Sequence, residues 1–298
     1  MASVISPTRS PRLPASLRGP ADHPSRPCPE TALPALLQLH VLALIAATTA
    51  ILGRLIEIAA PSIVFWRTAL AALFMAGWFA GTSPGLLRLA KGAILPALGV
   101  GVLLSGHWIC FFWAIDLSNI SICLAALSTL SLFTALTEPL LTGRPVRGRE
   151  LLSGGLVLVG IVLIARLETG SLAGFAVGLL AALLAAIFPV LNRILVRAGH
   201  SSRTLLLYEM GGAALATLVF IRLVPGFRFE VPHTVDWPWI LVLVILCTII
   251  AHAWHIHLLR SVSAFQANLV MNFEPPWGIL LGALLFHEYR ELHPAFYF

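Results

Sequence analysis

Glu274 stands near the middle of a long apolar run and is followed at once by Pro275 and Pro276. Neither proline carries an N–H, so in a helix the carbonyls of Met271 and Asn272 lose their partners, and the residue before a proline is pushed out of the α region. A carboxylate beside bare carbonyls can attract a proton, a cation or a polar solute. If the run crosses a membrane, such groups persist only where they face protein or a wet cavity. Asn268 and Asn272 are four apart and share one helical face. Glu274 falls nearly opposite Asn272, so the three line one cavity only if the prolines re-aim the chain. The competing reading is a packing kink, with Glu274 hydrogen-bonded to a neighbouring helix and the two amides tying helices together.

Other polar groups interrupt other apolar runs. Arg67 lies roughly one and a half turns into its run. It could attract an anionic group or pair with Glu274, but the reading preferred here is that it snorkels to the nearer interface. Glu209, beside Tyr208, could carry a proton or a cation. His107 with Trp108, and His252 and His255 with Trp254, place imidazole and indole within apolar runs, as solute-lining rings, proton carriers or hydrogen-bonded packing. His252 and His255 share a face that would suit a metal, yet no Cys, Asp or third His accompanies them, so no metal is assigned. Glu138 and Pro139 lie near the end of a run close to Arg144, and an interfacial salt bridge is expected. Cys28, Cys110, Cys123 and Cys247 are far apart and form no CxxC pair, so they read as small buried hydrophobes. The stripe Gly174, Gly178, Ala182, and Gly278 with Gly282, read as sites of close helix packing.

The elements that must position these groups follow from composition. Hydrophobic residues make up 58% of the 298 and charged residues 11%, against roughly 45–50% and about 25% in ordinary soluble domains. Such a chain cannot cover a globule with charge. The ruler is instead the bilayer, at about 20 apolar residues per span. Runs of that length fall at about 34–53, 61–81, 92–115, 118–141, 150–166, 172–192, 204–223, 237–259 and 262–287, which predicts nine transmembrane helices. They are twice the length of barrel strands and apolar on every side. Residues 1–33 differ: the first 30 contain seven prolines and four arginines and should form a disordered tail. A transit peptide, a mis-assigned upstream start and a plain cytoplasmic tail all fit it. All but one of the 19 basic residues are arginines, scattered singly between runs. That pattern sets membrane orientation and argues against nucleic acid.

At the fourth and ninth spans the residues become those of a known family. "STLSLFTALTEPLLTGRPVRGRELLSGGLVLVGIVLIA" (128–165) and "SAFQANLVMNFEPPWGILLGALLFHE" (263–288) resemble the EamA-like family of the drug/metabolite transporter superfamily. The shared features are a Pro in the span (Pro276), small residues (Gly278, Gly282) and a following Glu288. "VFWRTALAAL" (64–73) is similar to that family's second span. The resemblance implies an all-α bundle of two inverted five-helix repeats, here residues 34–166 (spans 1–5) and 167–298 (spans 6–9). A tenth span would follow "FYF" and is missing from the sequence. Setting Pro276 against Ser131 leaves the first repeat without the Pro and the Glu of the pattern.

The expected function is a secondary transporter that moves a small metabolite across the plasma (inner) membrane by alternating access, with possible proton or cation coupling and no cofactor. The rival is an integral membrane enzyme acting on lipid or a lipid-linked substrate. It would need several carboxylates or imidazoles at one membrane face, whereas here they are spread over several depths. Thirteen basic residues fall in the tail and the breaks after spans 2, 4, 6 and 8, against five on the other side, with Arg67 inside a span. The N-terminus is therefore expected to be cytoplasmic. A cysteine placed at Gly148 should then resist an impermeant thiol reagent added from outside; labelling from outside would reverse the orientation.

Overall fold

A computed structural model of the chain describes residues 34–152, 154–156 and 171–290. Among these residues there is no strand. Eight helices are long and apolar enough to cross a membrane: α1 (Ala35–Leu55), α2 (Ala60–Thr82), α3 (Lys91–Leu117), α4 (Ile120–Thr142), α5 (Leu172–Arg197), α6 (Ser202–Leu223), α7 (Trp237–Leu258) and α8 (Ala264–Phe286). The expected span at 150–166 and the expected start of a tenth run lie largely outside the described residues, as does the tail at 1–33. Large apolar side chains such as Leu73, Leu95, Leu140, Leu223 and Leu284 point outward, a surface that suits lipid and not water.

Close approach of backbones sets the packing. A methyl group at Gly101 of α3 would overlap the Glu209 carbonyl of α6, and one at Gly212 of α6 would overlap the Leu98 backbone of α3. Gly174 and Gly178 likewise let α5 lie against Ser118 and Ala126. Small residues at such crossings allow van der Waals contact where lipid tails supply no hydrophobic drive.

Two of the eight helices are interrupted. In α8 a first half (Ala264–Met271) gives way at Asn272 and Phe273 to a second half (Glu274–Phe286), with the prolines in its first turn. A proline there leaves no helical donor missing, because the first-turn N–H groups have no intrahelical partner in any case. In α4 the halves are Ile120–Leu127 and Leu130–Thr142, without a proline at the break. Hydroxyls do the work instead. Ser128 Oγ donates to the Ala125 carbonyl at 2.5 Å and Thr129 Oγ1 to the Ala126 carbonyl at 2.8 Å, a back-bonding pattern that bends helices.

The two broken helices run antiparallel and are bonded along their length. Asn272 Nδ2 donates to Ser131 Oγ and Asn268 Nδ2 to Thr134 Oγ1, each at 2.8 Å. At one end Glu138 Oε2 accepts from the Phe265 N–H at the start of α8, at 2.9 Å. At the other end Glu288 accepts from the Ile120 and Ser121 N–H groups at the start of α4, at 2.9 and 3.0 Å, and from Ser121 Oγ at 2.6 Å. Each helix thus supplies, at or just beyond its end, a carboxylate for the exposed donors of the other. This reciprocity is what a twofold axis in the membrane plane produces. It also qualifies one expectation. The first repeat does have a capping glutamate, Glu138, although the Pro276–Ser131 register does not align it with Glu288. Glu288 is buried at 2% exposure.

At the end that carries the α1–α2 turn, residues 224–236 supply the missing partners. Asp236 Oδ1 accepts from the Glu57 N–H at 3.0 Å, Glu230 Oε2 from the Ala59 N–H at 2.6 Å, and the Glu230 carbonyl from Trp66 Nε1 at 2.9 Å. At the opposite end Glu138 pairs with Arg144 at 3.2 Å and lies 4.0 Å from Arg193, while Arg144 also pairs with Glu150 at 2.6 Å. The expected Glu138–Arg144 salt bridge is present, as part of this larger cluster.

Candidate functional site

A cavity of about 120 Å³ opens where the two interrupted helices cross, with Leu127 and Leu130 flanking one break and Met271 and Glu274 the other. One water needs roughly 10–15 Å³ measured in this way, so the space suits several waters or a small solute. Its wall is mostly apolar and aromatic, including Phe111 and Phe188, with few polar groups: Thr49, Arg67, His107, His252, His255, Asn268 and Glu274. That mixture is the ordinary make-up of a small-molecule site.

Arg67 is the largest fully buried side chain, at 1% exposure, and it does not snorkel. Its guanidinium lies 3.7 Å over the Trp108 ring, an attraction that strengthens once water is excluded. Its Nε donates to Thr248 Oγ1 at 2.8 Å. Thr248 sits in a π-helical stretch of α7 (Leu243–Ile250), and its own hydroxyl donates to the Leu243 carbonyl at 2.8 Å. The widened turns of such a stretch re-aim side chains and are frequent at functional sites. Nη1 of Arg67 has no partner among the described residues. The preference for snorkelling fails because Trp108 and Thr248, which hold the guanidinium inward, lie on other helices.

Glu274 borders the cavity and is 9% exposed. The hydrogen bond to a neighbouring helix that the packing-kink reading gives Glu274 is absent among the described residues, where the ion pairs of carboxylates involve Glu138, Glu150 and Glu209. Arg67 and Glu274 therefore share one cavity, a guanidinium and a carboxyl group without a direct ion pair. Asn268 lines the cavity while its amide bonds Thr134. Asn272 does not line it; its Nδ2 is committed to Ser131 and its Oδ1 has no partner, so its role is to join helices.

The imidazoles divide. His107 Nδ1 donates to the Ala181 carbonyl at 2.8 Å, which fixes the ring against α5. His255 lines the cavity with Nε2 unpartnered. His252 lines it too, and its Nε2 lies 3.4 Å from Glu209 Oε2, within ion-pair reach but not aligned as a hydrogen bond. Glu209 itself is fully buried behind His252. Tyr208 is not part of the site: its hydroxyl donates to the Leu87 carbonyl at 3.0 Å, near the end of α2. Thr49, Thr248, Phe111 and Phe188 were not singled out from the sequence. A threonine or phenylalanine in an apolar run carries no local signal of which cavity it faces.

Comparison with known proteins places this geometry. The sequence matches the EamA-like transporter family over residues 33–166 and again over 172–293, once per repeat and across most of the chain. The chain belongs to the EamA-like transporter family. It is a multi-pass membrane protein of the family's two-repeat, all-helical architecture. A solved crystal structure is similar over 85% of this chain and 88% of that one, with a TM-score of 0.63 and 18% identity. That likeness bears on the fold alone. No curated protein matches the sequence.

The two buried glutamates of α8 and its end should respond differently to substitution. Among the described residues Glu274 has no hydrogen bond to lose, so Glu274→Gln should leave thermal unfolding in detergent nearly unchanged. Glu288→Ala removes a charged acceptor of three donors and should destabilise by about 1.5–3 kcal/mol, the range for hydrogen bonds to charged groups. Equal melting temperatures for the two variants would contradict the capping role of Glu288.

Proposed function

We propose that this EamA-like family member is a secondary transporter that carries a small polar solute through the cavity at the crossing of α4 and α8 by alternating access. The observation that carries this reading is the pair of buried ionisable groups of opposite type, Arg67 and Glu274, facing one cavity without pairing with each other. A charge buried in an apolar span is costly, on the order of 2.5–3.5 kcal/mol at mid-depth on insertion scales, and marks substrate or ion pathways. Broken helices at that depth are where secondary transporters hold their cargo. Arg67, through its unpartnered Nη1, would take an anionic or acceptor group of the solute. Glu274 would take a donor or cationic group, with Trp108, Phe111 and Phe188 as apolar walls.

In this reading the two repeats, residues 34–166 and 167–298, move against each other about the α4–α8 crossing, and protons supply the coupling. The orientation proposed is an N-terminus in the cytoplasm, with the chain in the plasma (inner) membrane. An enzymatic reading needs carboxylates or imidazoles free at one face. Of the carboxylates that gather at the two faces, Glu138 and Glu150 are engaged by Arg144, and Glu230 and Asp236 accept backbone N–H groups, which favours structure over chemistry.

The test is transport by the purified chain in vesicles across a panel of small metabolites, with and without a pH gradient. At least one polar solute should move. Glu274→Gln should reduce its rate by about tenfold or more, the factor that a contact worth about 1.4 kcal/mol sets. A Gln variant that transports at the normal rate would remove Glu274 from the pathway.

A further inference from the structure

The solute cavity leaves one buried acid unused. Glu209 of α6 is fully buried, and in an apolar span its carboxylate needs donors. It has one weak neutral donor: Asn192 Nδ2 of α5 approaches Oε2 at 3.4 Å. Among the described residues its Oε1 has no partner, and neither has Asn192 Oδ1. The other polar neighbour described is His252 of α7, whose Nε2 lies 3.4 Å from Oε2 and likewise has no hydrogen-bond partner there. A buried carboxylate with so few donors is costly to keep charged, and a proton added beside it lowers that cost.

We propose that Glu209 and His252 form a proton-binding site, separate from the solute cavity but sharing the His252 wall with it. The proton enters from cavity water and is held between His252 Nε2 and Glu209 Oε2. No bond other than that to the proton is made or broken. Binding draws the two atoms from 3.4 Å toward the roughly 2.7–2.9 Å of a charge-assisted bond. The pair goes from a net charge of minus one to zero, as Glu209⁻ with neutral His252 becomes the ion pair or its neutral equivalent.

The surroundings explain why this proton would matter to transport. The His252 ring meets the edge of Trp108 at 6.0 Å between centroids, and Arg67 covers the face of the same indole. Around the pair, α2 contributes Arg67, α3 His107, α7 His255 and α8 Glu274, all on the cavity wall, and α5 contributes the neutral Asn192. The change of one unit in the charge of the Glu209–His252 pair is therefore felt across the cavity by Arg67 and by whatever it binds. Phe188 of α5 packs against the His252 ring at 5.8 Å, so this wall is otherwise apolar. The link from proton to solute rests on the transport reading above; the proton site itself does not.

The test is infrared difference spectroscopy of the full chain in lipid, titrated with acid and recorded without any solute. Wild type should show a proton-uptake signal, of a protonated carboxyl or of an imidazolium facing a carboxylate, that disappears in Glu209→Gln and survives in Glu274→Gln. In His252→Asn the signal should remain, with its midpoint displaced by about one pH unit or more, the mark of a coupled pair. Persistence of the full signal in Glu209→Gln, its absence from wild type, or an unmoved midpoint in His252→Asn would overturn the proposal. Because no solute is needed, the two readings fail separately. A chain that moves nothing in the metabolite panel yet shows this signal keeps the proton site and loses the transporter reading; the reverse result does the opposite.

Discussion

A backbone carbonyl or N–H that faces hydrocarbon has no water to turn to, and this constraint shapes the molecule. Among the described residues six unbroken helices meet it largely internally. The two interrupted ones cannot, and the contacts between them are the remedy. Hydroxyls of Ser128 and Thr129 donate to carbonyls at one break, while the prolines after the other have no N–H that needs an acceptor. The amides of Asn268 and Asn272 bond across the seam, and Glu138 and Glu288 each cap the opposite helix. Antiparallel pairing makes this exchange reciprocal, so the inverted repeat is as much a solution to hydrogen bonding as a record of duplication.

Interrupting two helices at the same level has a second effect: it leaves space. The cavity lies where the breaks meet, and its polar groups, Asn268 apart, are those the seam does not consume. Arg67 is held by an indole face and one threonine hydroxyl, partners that orient it without cancelling its charge. Glu274 is held by helix geometry alone. Preorganised, incompletely paired groups of this kind keep their interaction energy for a ligand. The contrast with the Glu138 cluster, where carboxylates and arginines satisfy one another, separates a structural charge network from a site.

The legibility of these features in the sequence followed their range. The spans were readable because apolar runs are local, and the break in α8 because Pro275 and Pro276 dictate it. The matching break in α4 was not, since Ser128 and Thr129 permit a straight helix equally well and only the partner helix selects the bend. Glu274 and the cavity imidazoles were found as ionisable groups in apolar runs. Arg67 was found but sent the wrong way, because its direction depends on Trp108 and Thr248 in other helices. The capping role of Glu288 was not legible for the same reason: its partners, Ile120 and Ser121, are remote in sequence. Tyr208 and Asn272 were nominated for polarity alone, and their hydroxyl and amide turned out to serve Leu87 and Ser131.

The central claim is that Arg67 and Glu274 stay apart in order to hold a solute between them. The most direct measurement is an experimental map of the full chain in a lipid nanodisc, with a solute that it transports bound. The account predicts solute density in the cavity, with a polar atom within hydrogen-bonding distance of Arg67 Nη1 and another near the Glu274 carboxyl. Solute density away from both residues, or a direct Arg67–Glu274 ion pair persisting in the loaded state, would contradict it.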